Sequence, residues 1–358
     1  MIASRSSRLG TVAGAGAALL AAVAIAACGG SSDSTGNTTP TKSTGSTTQQ
    51  SGAASLNLVG YSTPKKAFAA LTAAFSQTAA GKGVSFDSSF GASGSQSKAV
   101  ANGLSADVVA FSITPDMTRL VDGGIVSKDW NDNPEQGFSS DSVVVFVVRK
   151  GNPDHITSWS DLVKPGVTVV TPNPATSGSA RWNILAAYGA VLKQGGTPAQ
   201  ALAYVKELIT KHVTEEDSSG SSALATFTSG KGDVLIDYES SAIAAEKAGD
   251  AISYVIPKQT LLIQTPIAVT ANSSHKTQAN AFLQYQWSKA GQTIWAEQGY
   301  RPVLASVASE FASKFPVPAQ LFNIDYLGGW TKANELFAPS TGAITKIEQQ
   351  AGFPVASS

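Results

Sequence analysis

The stretch Thr171-Pro172-Asn173-Pro174-Ala175-Thr176-Ser177-Gly178-Ser179-Ala180-Arg181-Trp182-Asn183-Ile184-Leu185-Ala186-Ala187-Tyr188 carries a β-branched strand into small, hydroxylated residues and then into a helix-forming run. Ser177, Gly178 and Ser179 are small enough for their backbone N–H groups to approach a bound group closely. A helix starting near Ala180 adds unpaired first-turn amides and the positive end of its dipole. Such a junction suits an oxyanion. The same residues also make an ordinary capped helix start, so the meaning of the motif depends on the rest of the chain.

Outward from it, β-branched and apolar runs at 55–61, 83–90, 108–112, 142–148, 167–171, 234–237 and 266–270 alternate with helical patterns at 65–77, 96–103, 180–193, 198–211, 221–229 and 278–298. That alternation predicts α/β lobes with mostly parallel sheets, and no internal repeat is present. Tyr61-Ser62-Thr63-Pro64 and Gly91-Ala92-Ser93-Gly94 repeat the order of strand end, small polar residues and helix start. Residues 217–222 form a polar loop before an apolar helix. Pro64 suits a first helical turn, and Ser93 suits a cap whose own amide faces the cleft. Open α/β sheets bind ligands at the carboxyl ends of their strands, where these loops fall.

The 358 residues carry 25 basic and 25 acidic side chains, so no charge bias draws the chain to nucleic acid or to an anionic membrane. At the N-terminus, Arg5 and Arg8 precede an Ala/Gly/Val/Leu run that ends at Ile25-Ala26-Ala27-Cys28-Gly29. This is the pattern of a signal peptide over 1–27. The single cysteine, Cys28, stands at the cleavage junction, where a bacterial lipoprotein carries its lipid. Residues 28–54 have too little apolar content to offset the entropy of ordering and read as a flexible tether. The remaining roughly 300 residues suit two lobes better than one compact core, and no disulfide can form within one mature chain.

Enzyme chemistry finds no support. Ser62-Thr63-Pro64-Lys65 and Ser95-Gln96-Ser97-Lys98 both match the serine-x-x-lysine pattern, but no Lys-Thr-Gly triplet accompanies them in the mature domain. His155, His212 and His275 lack the spacing of a metal site or a catalytic triad, and there is no phosphate-binding P-loop. No cofactor is implied.

Several segments together resemble the bacterial sulfate-binding proteins, the extracytoplasmic receptors of sulfate/thiosulfate ABC importers. They are Leu56-Asn57-Leu58-Val59-Gly60-Tyr61, Phe90-Gly91-Ala92-Ser93-Gly94-Ser95-Gln96, Ala106-Asp107-Val108-Val109 and the run Val145-Phe146-Val147-Val148-Arg149-Lys150-Gly151-Asn152-Pro153. Asp161-Leu162-Val163-Lys164-Pro165-Gly166-Val167, Thr171-Pro172-Asn173-Pro174, Gly232-Asp233-Val234-Leu235-Ile236, Tyr300-Arg301-Pro302 and Phe322-Asn323-Ile324-Asp325-Tyr326-Leu327-Gly328-Gly329-Trp330 extend the resemblance over nearly the whole mature length.

The resemblance implies an α/β type II periplasmic-binding-protein fold, with 55–142 and 265–358 as one lobe, 143–264 as the other, and a ligand cleft between them. It implies backbone amides on the ligand from Ser62, Ser93, Gly178, Ser179 and Gly220, and a hydroxyl bond from Ser177. Tyr238 stands where the family places a tryptophan whose indole N–H donates, and its hydroxyl offers a donor of different reach. Arg181 is expected to support the loop through its carbonyls without touching the ligand. Strand alternation is expected to turn Asp237 and Glu239 away, leaving donors only. A donor-only cleft suits fully deprotonated sulfate and rejects protonated phosphate, whose O–H would face another donor.

The expected partners are therefore sulfate or thiosulfate, the permease subunits of an ABC transporter, and a membrane reached through the lipid at Cys28. The chain is expected to act as a monomer, without nucleic acid, at the outer face of the cytoplasmic membrane or in the periplasm. The alternatives are a receptor for another tetrahedral oxyanion (molybdate, tungstate or phosphate) and a surface interaction protein that has lost its ligand.

Overall fold

The computed structural model describes residues 53–356. Cys28, the signal-peptide pattern and most of the tether lie outside the described residues. The described residues fall within one compact unit.

The chain opens with β1 (Ala54–Tyr61), α1 (Lys65–Ser76), β2 (Val84–Gly91), α2 (Ser93–Ala101), β3 (Val108–Ala110) and α3 (Thr114–Asp122). The long β4 (Phe138–Arg149) is followed by β5 (Val169–Pro172), α4 (Gly178–Lys193), α5 (Pro198–Glu207), β6 (Val213–Asp217), α6 (Gly220–Thr228), β7 (Val234–Tyr238), α7 (Glu239–Ala248) and β8 (Ile252–Val255). A second long strand, β9 (Gln259–Val269), leads to α8 (Lys276–Gln286), α9 (Lys289–Glu297), α10 (Ala305–Glu310), β10 (Gln320–Phe322), α11 (Gly329–Leu336) and α12 (Ala343–Ala351).

Among the described residues these strands join one sheet in the order β2-β1-β3-β9-β4-β7-β5-β6, with β10 beside β9 and β8 beside β4. The outer ladders β1–β2, β1–β3, β5–β6 and β5–β7 are parallel, whereas β4 and β9 run antiparallel to their neighbours in the order. The two long strands span the sheet's midline. β9 pairs with β3 through Ile267, Ala268 and Val269 and with β4 through 262–266, while β4 continues into β7 through 144–148.

The unbroken apolar run from Val143 to Val148 shows why β4 is central. Alternation sends Val144, Phe146 and Val148 to one face, against Trp182 and Leu185 of α4, and Val143, Val145 and Val147 to the other, against Phe227 of α6 and Ala242 of α7. At the other end of the sheet, Leu56 and Leu58 of β1 pack on Phe68, Phe75, Phe282 and Trp295, while Val59 packs with Met117 and Leu120 of α3.

The sequence placed all of 265–358 in one lobe. In the structure Phe322, Ile324, Ala333, Phe337, Ile344 and Ile347 share a core with Trp182, Leu185, Val205 and Ile209, so the last part of the chain packs beside α4 and α5. The single helix expected over 278–298 is two. Ser288 accepts from the Gly291 amide and starts α9 afresh after α8.

Candidate functional site

β5 delivers the chain into a loop wound around Asn173. The Asn173 amide donates to Asp217 O at 2.7 Å, its Oδ1 accepts from the Ala175 amide at 2.8 Å, and its carbonyl accepts from the Ser177 amide at 3.0 Å. α4 then begins at Gly178, two residues earlier than the sequence suggests. Its N-cap Ser177 makes no side-chain capping bond; the hydroxyl lies 2.8 Å from Ser179 Oγ. The first-turn amides of Gly178, Ser179 and Ala180 therefore have no acceptor within the helix and no cap.

A second helix start meets this one. Ser93 is the first residue of α2 and does not cap it. Its buried hydroxyl donates to Asp116 Oδ2 at 2.7 Å and accepts from the Ser112 amide at 3.0 Å. Gly94 N–H donates to Thr176 O at 3.0 Å, tying the start of α2 to the loop before α4. A Cβ on Gly94 would lie 2.9 Å from that oxygen, so only glycine lets the two backbones approach this closely.

Three more strand ends complete the cluster. Gly220 opens α6 behind Ser219, whose hydroxyl accepts from the Ser222 amide, and a Cβ on Gly220 would sit 3.0 Å from Ser179 Oγ and 3.2 Å from Thr63 Oγ1. Thr63 and the half-buried Ser62 follow β1. At the end of β7, Tyr238 is fully buried with its hydroxyl 2.7 Å from Ser112 Oγ. Burial, first of all, raises its pKa well above the usual value, so the phenol keeps its proton.

Of the seven positions expected from the sequence, Ser93, Ser177, Gly178, Ser179, Gly220 and Tyr238 meet through these contacts, and Ser62 adjoins them as the chain neighbour of Thr63.

Ser112, which the sequence reading missed, is the hub of that cluster. Its amide reaches Ser93, its hydroxyl reaches Tyr238, and its carbonyl accepts from Trp182 Nε1 at 2.7 Å. A Cβ on Gly178 would lie 2.8 Å from both Ser112 Cβ and Oγ. The signal was present in Ser112-Ile113-Thr114-Pro115, which repeats the strand-end and helix-start pattern of Ser62-Thr63-Pro64.

Most charged groups nearby have partners of their own, while Asp217 Oδ2 and Asp237 Oδ2 are buried without a hydrogen-bond partner among the described residues. Arg181 Nε donates to Pro174 O at 3.4 Å and its Nη1 to Asn334 Oδ1 at 3.3 Å, with the guanidinium 5.1 Å from the Phe337 ring centre. Glu239 pairs with Arg301 through bonds of 2.7 and 2.9 Å. Asp217 Oδ1 accepts from Thr226 Oγ1 at 3.0 Å, and Asp116 also accepts from Arg119 at 2.9 Å. Asp237 is fully buried; its Oδ1 accepts from the Tyr238 amide, and burial pushes its pKa up to about 7. It projects from the face of β7 opposite Tyr238. The cluster therefore presents amides and hydroxyls, with no lysine or arginine among its members.

The family model for bacterial extracellular solute-binding protein matches residues 56–301. A sulfate-binding protein of Synechococcus elongatus is 36% identical over 336 residues, covering 91% of this chain and 93% of that one. A thiosulfate-binding protein of Pseudomonas aeruginosa is 36% identical, covering 75% and 83%. Among solved structures, the sulfate-binding protein SubI from Mycobacterium tuberculosis is 45% identical, with a TM-score of 0.77 over 78% of this chain and 98% of its own. The mixed sheet with its two long central strands is accordingly the type II periplasmic-binding-protein fold. On the family model and on identities sustained over most of its length, the chain belongs to the sulfate-binding protein family of bacterial extracellular solute-binding proteins.

Proposed function

We propose that this chain is an extracytoplasmic receptor that closes two lobes around sulfate and presents the closed form to an ABC importer. The observation that carries the reading is the convergence of the starts of α1, α2, α4 and α6 on a cluster of buried serines with no cation in it. A dianion without a proton is satisfied by such a shell, in which each charge-assisted bond contributes about 1.5–3 kcal/mol and the helix ends add a fraction more.

The cross-sheet approaches of Gly94 to Thr176, Gly178 to Ser112 and Gly220 to Thr63 support a closed arrangement. In our reading 55–142 with α8, α9 and α10 form the first lobe, 143–264 forms the second, and α11 and α12 pack with the second. Closure buries the ligand, and the permease reads the closed shape. Ser62, Ser93, Gly178, Ser179 and Gly220 contribute amides, and Ser177 and Tyr238 contribute hydroxyls. Arg181 holds the loop through Pro174 O. Cys28 carries the lipid that tethers the receptor to the membrane, and replacing it with serine should release the protein from the membrane fraction.

The deciding experiment is calorimetric titration with sulfate, thiosulfate, molybdate and phosphate after ligand is stripped by unfolding and refolding. Sulfate binding without a phosphate response is expected. Thiosulfate, the ligand in the name of the Pseudomonas relative, is expected to bind as a second substrate. Phosphate binding would place an acceptor such as Asp237 in the cleft, and silence from every anion would refute the receptor.

A further inference from the structure

A cavity of about 190 Å³ adjoins the serine cluster, and Gly94, Thr176, Ser177 and Gly178 form part of its wall. The rest of that wall brings together cations from both lobes of our reading: Lys98 of α2 and Arg119 of α3 from the first, Arg181 of α4 from the second. Asp116 is the one acidic residue lining it, so three cations against one carboxylate leave the wall with a net charge of +2. Asp122 and Glu348 line adjoining grooves and not this one.

The acid is already committed. Asp116 Oδ1 accepts from Arg119 Nη1 at 2.9 Å and Oδ2 accepts from Ser93 Oγ at 2.7 Å, while the same Nη1 also donates to Ser97 Oγ at 2.7 Å. Lys98 is exposed and enters no ion pair among the described residues. Arg181 donates only to neutral oxygens, Pro174 O at 3.4 Å and Asn334 Oδ1 at 3.3 Å, both long for a hydrogen bond. Burial, first of all, lowers its pKa, so the fold strips water from this cation without giving it an ion-pair partner. The excess charge therefore belongs to Lys98 and Arg181, on opposite sides of one opening.

We propose that Lys98, Arg119 and Arg181 form an encounter site for a tetrahedral dianion, which gathers sulfate at the mouth of the cleft and hands it to the serine cluster as the lobes close. The proposal rests on the sulfate reading. It separates two tasks that one set of groups would perform poorly. Charges at an opening raise the local concentration of an oppositely charged ligand and speed its arrival, but an exposed lysine and an arginine shared with a carboxylate hold it weakly. The ion does not stall there, because the uncapped helix starts beside it offer stronger bonds. Ser177 and Gly178 border both places, so the two sites share a wall.

The test is stopped-flow mixing of the full chain, stripped of ligand, with sulfate between about 0.01 M and about 0.15 M ionic strength, where the screening length shrinks from about 30 Å to about 8 Å. Trp182, whose indole donates to Ser112 O, supplies the fluorescence signal. The wild-type association rate should fall as salt rises. Lys98→Glu cancels the excess charge and should slow association by roughly threefold to tenfold at low salt and flatten the salt dependence, with dissociation unchanged. Lys98→Gln should show a smaller loss in the same direction, and Lys98→Arg should keep the wild-type rate. Lys82→Glu makes the same change in net charge in the exposed turn before β2, at the opposite ends of the strands, and should leave the rate near that of wild type. Equal losses in Lys98→Glu and Lys82→Glu, or a loss of affinity carried only by faster dissociation, would overturn the encounter site. If the wild type binds no sulfate, the receptor reading falls and the encounter site with it; tight binding at a rate indifferent to salt and to Lys98 overturns the encounter site alone.

Discussion

Gly178→Ala tests whether the cleft closes as the structure implies. The added methyl would lie 2.8 Å from Ser112 Cβ and Oγ and 3.2 Å from Ile113 Cγ1. Carbon contacts settle at about 3.5–4.0 Å, so the closest approach is short by about 0.7–1.2 Å. Overpacking of this size costs about 1–3 kcal/mol. Because Gly178 and Ser112 belong to opposite lobes in our reading, the cost falls on the closed state alone, and sulfate affinity should drop by about fivefold to about 150-fold. In the open form the same change replaces a flexible glycine with a good helix former, worth up to about 1 kcal/mol, so the melting temperature without sulfate should hold or rise. Calorimetric titration and a sulfate-free thermal melt on one preparation would read both effects. An unchanged affinity would refute the approach of these surfaces around the ligand. A fall in sulfate-free stability matching the lost affinity would show that the contact is permanent packing and not lobe closure.

Ser177→Ala removes the hydroxyl beside Ser179 and should weaken sulfate binding by about 1.5–3 kcal/mol; an affinity equal to wild type by titration would take Ser177 out of the site. Tyr238→Phe deletes the bond to Ser112 Oγ and should reduce affinity by about 0.5–1.5 kcal/mol, whereas a neutral result would leave the ring as a mere lining of the cleft. Glu239→Gln leaves the Arg301 guanidinium buried without its countercharge. Stability should fall by about 3–5 kcal/mol in scanning calorimetry, and an unchanged melting temperature would contradict a functioning pair. Asp237, raised to about 7 chiefly by burial, favours the fold at acid pH and withdraws that support as pH rises through about 7. Asp237→Asn should flatten part of the decline in melting temperature across neutrality, and an undiminished decline would show that Asp237 does not contribute to it.

Much of the candidate site was legible because its chemistry is local. Ser177, Gly178 and Ser179 sit at a strand-to-helix junction whose small residues announce themselves, and the same punctuation marks Ser62, Ser93 and Gly220. Ser112 was overlooked because its three roles come from partners 19 to 126 residues away. β6 reads Val213-Thr214-Glu215-Glu216-Asp217, where three acidic residues offset the strand preference of Val213 and Thr214. Pairing with β5 makes it a strand. Short α11 and α12 have largely polar sequences whose buried apolar residues, among them Ala333, Ile344 and Ile347, become meaningful only against α4 and α5. The merging of α8 and α9 into one helix failed at Trp287-Ser288, where a hydroxyl cap outcompeted continuation of the helical pattern.

The return of the C-terminal segment to α4 and α5 governs the order in which a growing chain becomes a protein. Trp182, Leu185, Val205 and Ile209 are made long before Phe337, Ile344 and Ile347, which complete their core. Until α12 is made, that apolar surface is covered by the sheet on one side only, and the Asn173 loop lacks the Pro354 carbonyl it binds. A truncation just before Phe322 would leave the first sheet half with its own helices and the second with a permanently open flank, a natural target for chaperones and proteases.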